Sequence, residues 1–357
     1  MEIDGIEISE RTNRLYKKDK NFDSLIAEAN SIFLDNFKNE TNFERAVFFS
    51  WYCSIADCRF CYMSAQPEKV KLRLKIARRS MASLIAETIL VRKLGWDFGF
   101  FSGGHNAYAA EDFLELVKNV SKTIRDRIWI NIGYVSEENL RLYLPYVKGV
   151  VASVETLNQR IHDFACPSKP VMPFEKMFEY AERLGLKKAI TIILGLGETI
   201  DDFSALEEFI DKHKIDKIHF YALNAQKGTY YENAKPIAKE YHAEWIARTR
   251  IRFPKIDIQL GTWTDKTGNI SLLLKAGANS ISKFPAIRKF ATKEARAIEE
   301  EAKRAGRRFK GSLTEFNGFD IDNDIKALGF NASFSSEIRK KLDAYVSRIR
   351  KNIKKYG

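Results

Sequence analysis

The sequence predicts an α/β protein: a (β/α)8 TIM-type barrel over residues 46–285, an N-terminal helical segment (1–45) and a basic C-terminal helical region (286–357). Three observations carry this prediction. Short, continuous apolar runs recur through the middle of the chain, as strands buried on both faces require. Stretches of helical period separate them, which implies parallel strands joined by crossover helices. Eight such units occur, the number that closes a barrel. An open doubly wound sheet is the alternative, but neither G-x-G-x-x-G nor a P-loop follows the first run.

The lead-in contains "FDSLIAEANSIFLDNF", whose periodicity predicts a helix. The eight strand candidates follow: "AVFFSWYC" (46–53), "WDFGFFSGG" (96–104), "RIWINIGYV" (127–135), "GVVASVET" (149–156), "AITIILGLG" (189–197), "IHFYALNA" (218–225), "IDIQLGTW" (256–263) and "NSISKF" (279–284). Helical segments between them include "LRLKIARRSMASLIAETILVRKLG", "AEDFLELVKNVSKTI", "SEENLRLYLPYV", "PFEKMFEYAERLG" and "IDDFSALEEFIDKHK". Leu94–Gly95 and Leu184–Gly185 read as glycine-capped helix ends. Beyond residue 286, "TKEARAIEEEAKRAGRRFKGS" and "SSEIRKKLDAYVSRIRKNIKKYG" read as charged helices packed on the barrel.

Apolar residues make up 45% of the chain, which suits a globular protein with a sizeable core. Every apolar run is interrupted by charge before it reaches membrane-spanning length, and "MEIDGIEISERTNR" is no secretory leader. These features predict a cytoplasmic protein without a membrane partner. Fifty-nine Lys and Arg stand against 47 Asp and Glu, a net +12. Such an excess steers association with anionic partners. A nucleic-acid-binding or RNA-modifying role is therefore a weaker alternative, and no RRM signature supports it.

Three of the four cysteines fall in "WYCSIADCRFCYMS": Cys53, Cys58 and Cys61, spaced C-x4-C-x2-C just after the first strand. The carboxyl ends of barrel strands form the chemical face. Structural zinc normally takes four protein ligands. Three thiolates with an open corner suit a 4Fe–4S cluster whose fourth iron is left for a ligand. Zinc, a Cys58/Cys61 redox pair or chance clustering remain as alternatives.

This loop resembles that of the radical S-adenosylmethionine enzymes, whose usual spacing is C-x3-C-x2-C; here the first gap is one residue longer, which predicts a local bulge. Phe60 stands at the motif's aromatic position, followed by Tyr62 after the last cysteine. Ser102, Gly103 and Gly104 in "FSGGHN" match the family's glycine-rich turn, with His105 where an acid is usual. Ser153 and Glu155 in "SVET" match a polar–acidic pair that binds ribose; Gly195, Gly197 and Glu198 in "IILGLGET" match an element near adenine; Asn224 in "LNAQKGT" matches a biotin-synthase-like asparagine. The resemblance implies a 4Fe–4S cluster, S-adenosylmethionine and an electron donor such as ferredoxin.

Within the family the chain resembles the biotin-synthase-like members. It lacks the cysteines of a complete second, sulfur-donating cluster, and "QLGTW" carries Thr262 where biotin synthase has an arginine. The run C-P-S-K-P, Cys166 to Pro170, resembles one subunit of the archaeal two-protein lipoyl synthase. That resemblance implies sulfur insertion into a protein-bound octanoyl chain, with a second radical S-adenosylmethionine subunit and a lipoyl carrier protein as partners. Cys166 is then a candidate for sulfur delivery, including through a second iron–sulfur cluster, or a buried packing residue. Lys169 is a candidate for an anionic group of cofactor or substrate, or a plain surface lysine. A maturase of another cofactor pathway, iron-guanylylpyridinol or biotin-like, is the alternative function.

Overall fold

Eight parallel strands close on themselves in a computed structural model of the chain, which describes residues 1–66 and 74–356. They are β1 (Glu40–Phe48), β2 (Asp97–Ser102), β3 (Ile128–Asn131), β4 (Val147–Glu155), β5 (Lys187–Leu194), β6 (Lys217–Ala222), β7 (Asp257–Gly261) and β8 (Ser280–Ser282). Each pairs with the next, and β8 returns to β1 through Ser280 beside Asn42 and Ile281 beside Phe43. No edge remains open in the ring, as a barrel requires.

All eight apolar runs became strands, but β1 begins at Glu40 rather than near residue 46. Its first half, "ETNFE", is too polar to read as a buried strand. Tertiary partners offset that polarity: Thr41 donates to the Asn279 carbonyl, and buried Glu44 receives Lys217, Gln259 and Ser280 side chains inside the barrel. This charged, fully bonded plug fills the lower barrel, since a buried charge is tolerated only with such partners. It leaves the opposite, carboxyl-terminal end for the site.

The predicted helices are present at Phe22–Asn36, Ala110–Ile124, Glu137–Tyr143, Met172–Arg183 and Phe203–His213. The segment beginning at Leu72 contains helices Leu74–Ala77 and Met81–Lys93; Leu72 and Arg73 lie outside the described residues. Ser80 caps the second of these by accepting from the Ser83 N–H. That helix is apolar nearly all round because it lies between the barrel and the C-terminal helix Ala332–Tyr356. Gly95 and Gly185 adopt φ of +67° and +65° at helix ends, the conformation a glycine cap provides.

Two features were not legible beforehand. A short strand, Arg308–Lys310, pairs in parallel with the start of β1. At the N-terminus a hairpin (Glu2–Ile3 with Ile6–Glu7) and helix Ile8–Leu15 fold over the turn after β5. Among the described residues, no helix is long and apolar enough to cross a membrane.

Candidate active site

The cysteine loop leaves β1 and is tied down at several points. The Ser54 N–H donates to the His105 carbonyl, Arg59 N–H to Ala165, and Tyr230 N–H to Arg59. The Ser64 hydroxyl reaches the carbonyls of Cys58 and Cys61 at 2.8 and 2.6 Å. Ala56, within the four-residue spacer, has φ of +45°, a kink that accommodates the extra residue.

Cys53, Cys58 and Cys61 are free thiols on one wall of a cavity of about 220 Å³ at the barrel's carboxyl end. Cys53 and Cys61 are half-buried and Cys58 is buried. The Cys166 thiol and burial together push the Cys58 thiol well above its ordinary range; burial raises Cys61 to about 11. Ligation requires loss of those protons, so metal binding competes with them. The donor set fits a cluster: three soft sulfurs line one cavity. Among the described residues, no group of three His, Cys, Asp or Glu is arranged to hold a single metal ion.

Polar groups share the cavity with the cysteines. Ser102, Gly103, Gly104, Ser153, Glu155 and Lys169 all line it. Gly104 has a further role that its motif did not reveal. A Cβ there would lie 2.0 Å from the Tyr52 carbonyl oxygen and 2.5 Å from Cys53 Cβ, so this glycine lets the cysteine loop pass. A Cβ on Gly103 would strike the Phe49 ring at 2.2 Å. His105 shares a hydrogen bond between its Nδ1 and the Ser54 hydroxyl at 3.0 Å, and burial lowers its pKa. In place of an acid, the chain has a neutral imidazole fastening the loop.

Glu155 ends β4 with φ of +64°, an uncommon conformation for a residue with a side chain. Its Oε1 accepts from Lys169 Nζ at 2.6 Å and its Oε2 from the Thr191 hydroxyl at 3.2 Å. Burial opposes the Lys169 charge, but the facing Glu155 carboxylate outweighs it and holds the ammonium well above its ordinary range. Lys169 is thus no surface lysine. The Ser153 hydroxyl donates to Asn131 Oδ1 at 3.1 Å. Asn131 was missed by sequence reasoning; its only signal was its position as the last residue of β3.

Gly195, Gly197 and Glu198 are not brought to this cavity. The N-terminal helix occupies their surface: Arg11 donates to the Gly197 carbonyl at 2.7 Å and Thr12 to the Glu198 carbonyl at 2.8 Å. A Cβ on Gly197 would meet Ile8 Cγ1 at 2.5 Å, and one on Gly195 would meet Ile237 Cγ2 at 2.9 Å. The Glu198 carboxylate turns back onto the Gly195 and Leu196 N–H groups at 2.6 and 2.9 Å. Thr191 and Ile193, on β5 itself, line the cavity instead.

Cys166 is 1% exposed and packs with Cys58, Phe60, Ile161, Leu196 and Tyr231, outside the cavity lining. It is brought to the cysteine cluster but not to a place a substrate can reach, because the Cys58 loop covers it.

A larger chamber of about 960 Å³ adjoins the cavity. Phe60, Cys61, Met63, Ile193, Tyr221 and Lys283 border both spaces. Asn224 and the exposed Tyr62 line this chamber rather than the smaller cavity. Its far wall includes Tyr345 and Arg348 of the C-terminal helix. Arg79 reaches the Tyr345 hydroxyl at 3.1 Å and pairs with Glu87 at 2.7 Å; Arg45 pairs with Glu87 at 2.6 Å. Lys283 was also missed by sequence reasoning. A charged residue inside the last strand candidate was the available signal.

The sequence model of the family described as the radical SAM superfamily matches residues 50–210. The chain is 36% identical over 334 residues to uncharacterized protein MJ0597 of Methanocaldococcus jannaschii, covering 89% of this chain and 92% of that protein. It is 27% identical over 272 residues to a biotin synthase of Clostridium tetani, covering 73% and 81%. The crystal structure of methylornithine synthase (PylB) superimposes with a TM-score of 0.65 at 18% identity, covering 94% of this chain and all of that one. At that identity the likeness speaks for the fold alone.

Proposed function

This chain belongs to the radical S-adenosylmethionine superfamily, and from that premise we propose that it abstracts hydrogen from a discrete substrate held in the larger chamber. The observation that carries the reading is the shared border: the chamber and the cysteine-lined cavity have Phe60, Met63 and Tyr221 in common among their lining residues. When bound, the reduced cluster and S-adenosylmethionine together supply a 5′-deoxyadenosyl radical able to take hydrogen from an unreactive C–H.

The chain's own groups do the positioning. Cys53, Cys58 and Cys61 hold the cluster. The Ser102–Gly104 turn, Ser153 with Asn131, and Glu155 with Lys169 offer the polar contacts for a zwitterionic nucleoside. Phe60, Met63, Ile193 and Tyr221, common to both linings, give the boundary an apolar surface that disfavours water. The reading is compatible with a role in another cofactor pathway, iron-guanylylpyridinol maturase-like or biotin-synthase-like. Anaerobic incubation with S-adenosylmethionine and a reductant such as reduced ferredoxin tests it. 5′-Deoxyadenosine must form, and a Cys53/Cys58/Cys61→Ala triple variant must not form it.

The second reading is sulfur insertion into a protein-bound octanoyl chain, together with a second subunit and a lipoyl carrier. One observation favours it: the C-P-S-K-P run is built into the site, with Cys166 against Cys58 and Lys169 against Glu155. The burial of Cys166 argues that the sulfur then comes from the partner. Mass spectrometry of an octanoylated lipoyl domain, with and without the candidate partner, distinguishes the two. A dithiolane product would select this second reading.

A further inference from the structure

The charges lining the larger chamber do not balance. Arg45 and Arg79 share the single negative charge of Glu87, the one carboxylate among the described lining residues. Arg288 and Arg348, exposed at the chamber wall, have no carboxylate partner among the described residues, and neither has Lys283. Three cations of the chamber therefore face no carboxylate, and its described lining sets five cations against one anion. In the smaller cavity the other cation, Lys169, is already paired with Glu155.

Lys283 is held in place by the fold. It follows β8 with φ of +68°, outside the usual range for a residue with a Cβ. Its stem crosses Gly261, where an added Cβ would meet Lys283 Cγ at 3.2 Å and the Tyr221 ring at 2.2 Å. Its Nζ lies 4.3 Å from the centre of the Tyr221 ring, with Phe48 and Phe100 within 6.0 Å. An aromatic ring holds a cation weakly compared with a carboxylate, so the ammonium is positioned yet left with bonding capacity. Burial lowers its pKa to about 8, with Glu155 and Cys61 acting in the other direction.

We infer that the larger chamber selects an anionic substrate with an apolar body, a carboxylate or phosphate being held by Lys283 at the border with the cofactor cavity and by Arg288 and Arg348 at the chamber wall. Tyr221, Ile193, Met63 and Trp263 provide the apolar surface for the body. Anchoring beside the cofactor cavity sets which C–H faces it. The inference deepens the first reading proposed above, and rests on it only for what is done to the substrate.

The test reads binding rather than turnover. Pyridoxal 5′-phosphate is a suitable probe: its aldehyde condenses with an unprotonated amine, releasing water, and its phosphate needs cationic partners. The cluster-loaded chain is treated anaerobically at low probe concentration, the imine is reduced with borohydride, and labelled peptides are mapped. Lys283 should label ahead of the surface lysines, and at least tenfold faster than with pyridoxal, which lacks the phosphate. Arg288→Gln/Arg348→Gln, both at exposed positions, should slow labelling severalfold. S-adenosylhomocysteine should change it less than twofold. Equal labelling by the two aldehydes, or label dispersed over surface lysines, overturns the inference. Protection by S-adenosylhomocysteine would instead make Lys283 a cofactor contact and also overturn it. A chain that labels as expected yet forms no 5′-deoxyadenosine fails the proposed function and keeps this inference.

Discussion

Lys169 donates to Glu155 at 2.6 Å within the cysteine-lined cavity, with side chains only 12% and 9% exposed. Removing one member of such a pair strands the other charge in a poorly solvated place. Glu155→Ala should therefore cost about 2–4 kcal/mol of stability as well as cofactor affinity. Adding Lys169→Met should restore much of the stability and none of the affinity. Denaturant midpoints and equilibrium binding of S-adenosylmethionine to the cluster-loaded chain separate these effects. If the double variant is no more stable than the single one, the pair is not coupled as described.

Cys53, Cys58 and Cys61 border the cavity, whereas Cys166 lies outside it. Any one of the first three changed to Ala should lose the iron–sulfur absorbance near 400 nm and cofactor cleavage. Cys166→Ala should retain both, at a cost of about 1 kcal/mol for the small void left behind. Iron and sulfide analysis together with 5′-deoxyadenosine yield reads the outcome. Loss of the cluster in the Cys166 variant would move that thiol into the ligand set.

Gly104 offers a way to disturb the cluster without touching a ligand. A Cβ at this position is incompatible with the Tyr52 carbonyl at 2.0 Å and with Cys53. Gly104→Ala should fold, since β2 ends before it, but displace the Cys53 side of the loop and hold substoichiometric iron. A variant with full iron content and unchanged absorbance would show that the loop relaxes freely.

Burial raises the Glu198 carboxyl from its ordinary 4.5 to about 7, against the Gly195 and Leu196 N–H groups and the Tyr241 hydroxyl that pull it down. The folded state then holds this proton more tightly than the unfolded chain. The stability it contributes is full below about 4.5 and declines as pH rises through about 7, by up to about 3 kcal/mol. Glu198→Gln does not titrate and should lack that slope, whatever its absolute stability. Urea midpoints between pH 4.5 and 8 decide the matter; parallel profiles would remove Glu198 as their source.

Much of the site was legible because it is written locally. Cys53, Cys58 and Cys61 are close in the chain, and Ser102–Gly104, Ser153 and Glu155 each end or directly follow an apolar run. Strand ends of a parallel barrel converge whatever their separation in sequence, so identifying the strands also located these residues. The same reasoning expected a cofactor contact at Gly195, Gly197 and Glu198, which lie outside the cavity lining. Their motif is real, but helix Ile8–Leu15 arrives from far upstream and uses the same surface. Nothing in the spacing of "IILGLGET" announces that neighbour.

The sequence by itself determined the parallel barrel, its eight strands, the three-cysteine loop and the family. Each depends on short-range periodicity or spacing, which the covalent chain carries directly. Tertiary structure decided how the polar residues were used. It paired Lys169 with Glu155, enclosed Cys166 behind Cys58, and aimed Lys283 across Tyr221 into the border between two spaces. Burial and charge pairing depend on which distant segments meet when the barrel closes, and β8 meets β1 across more than half the chain.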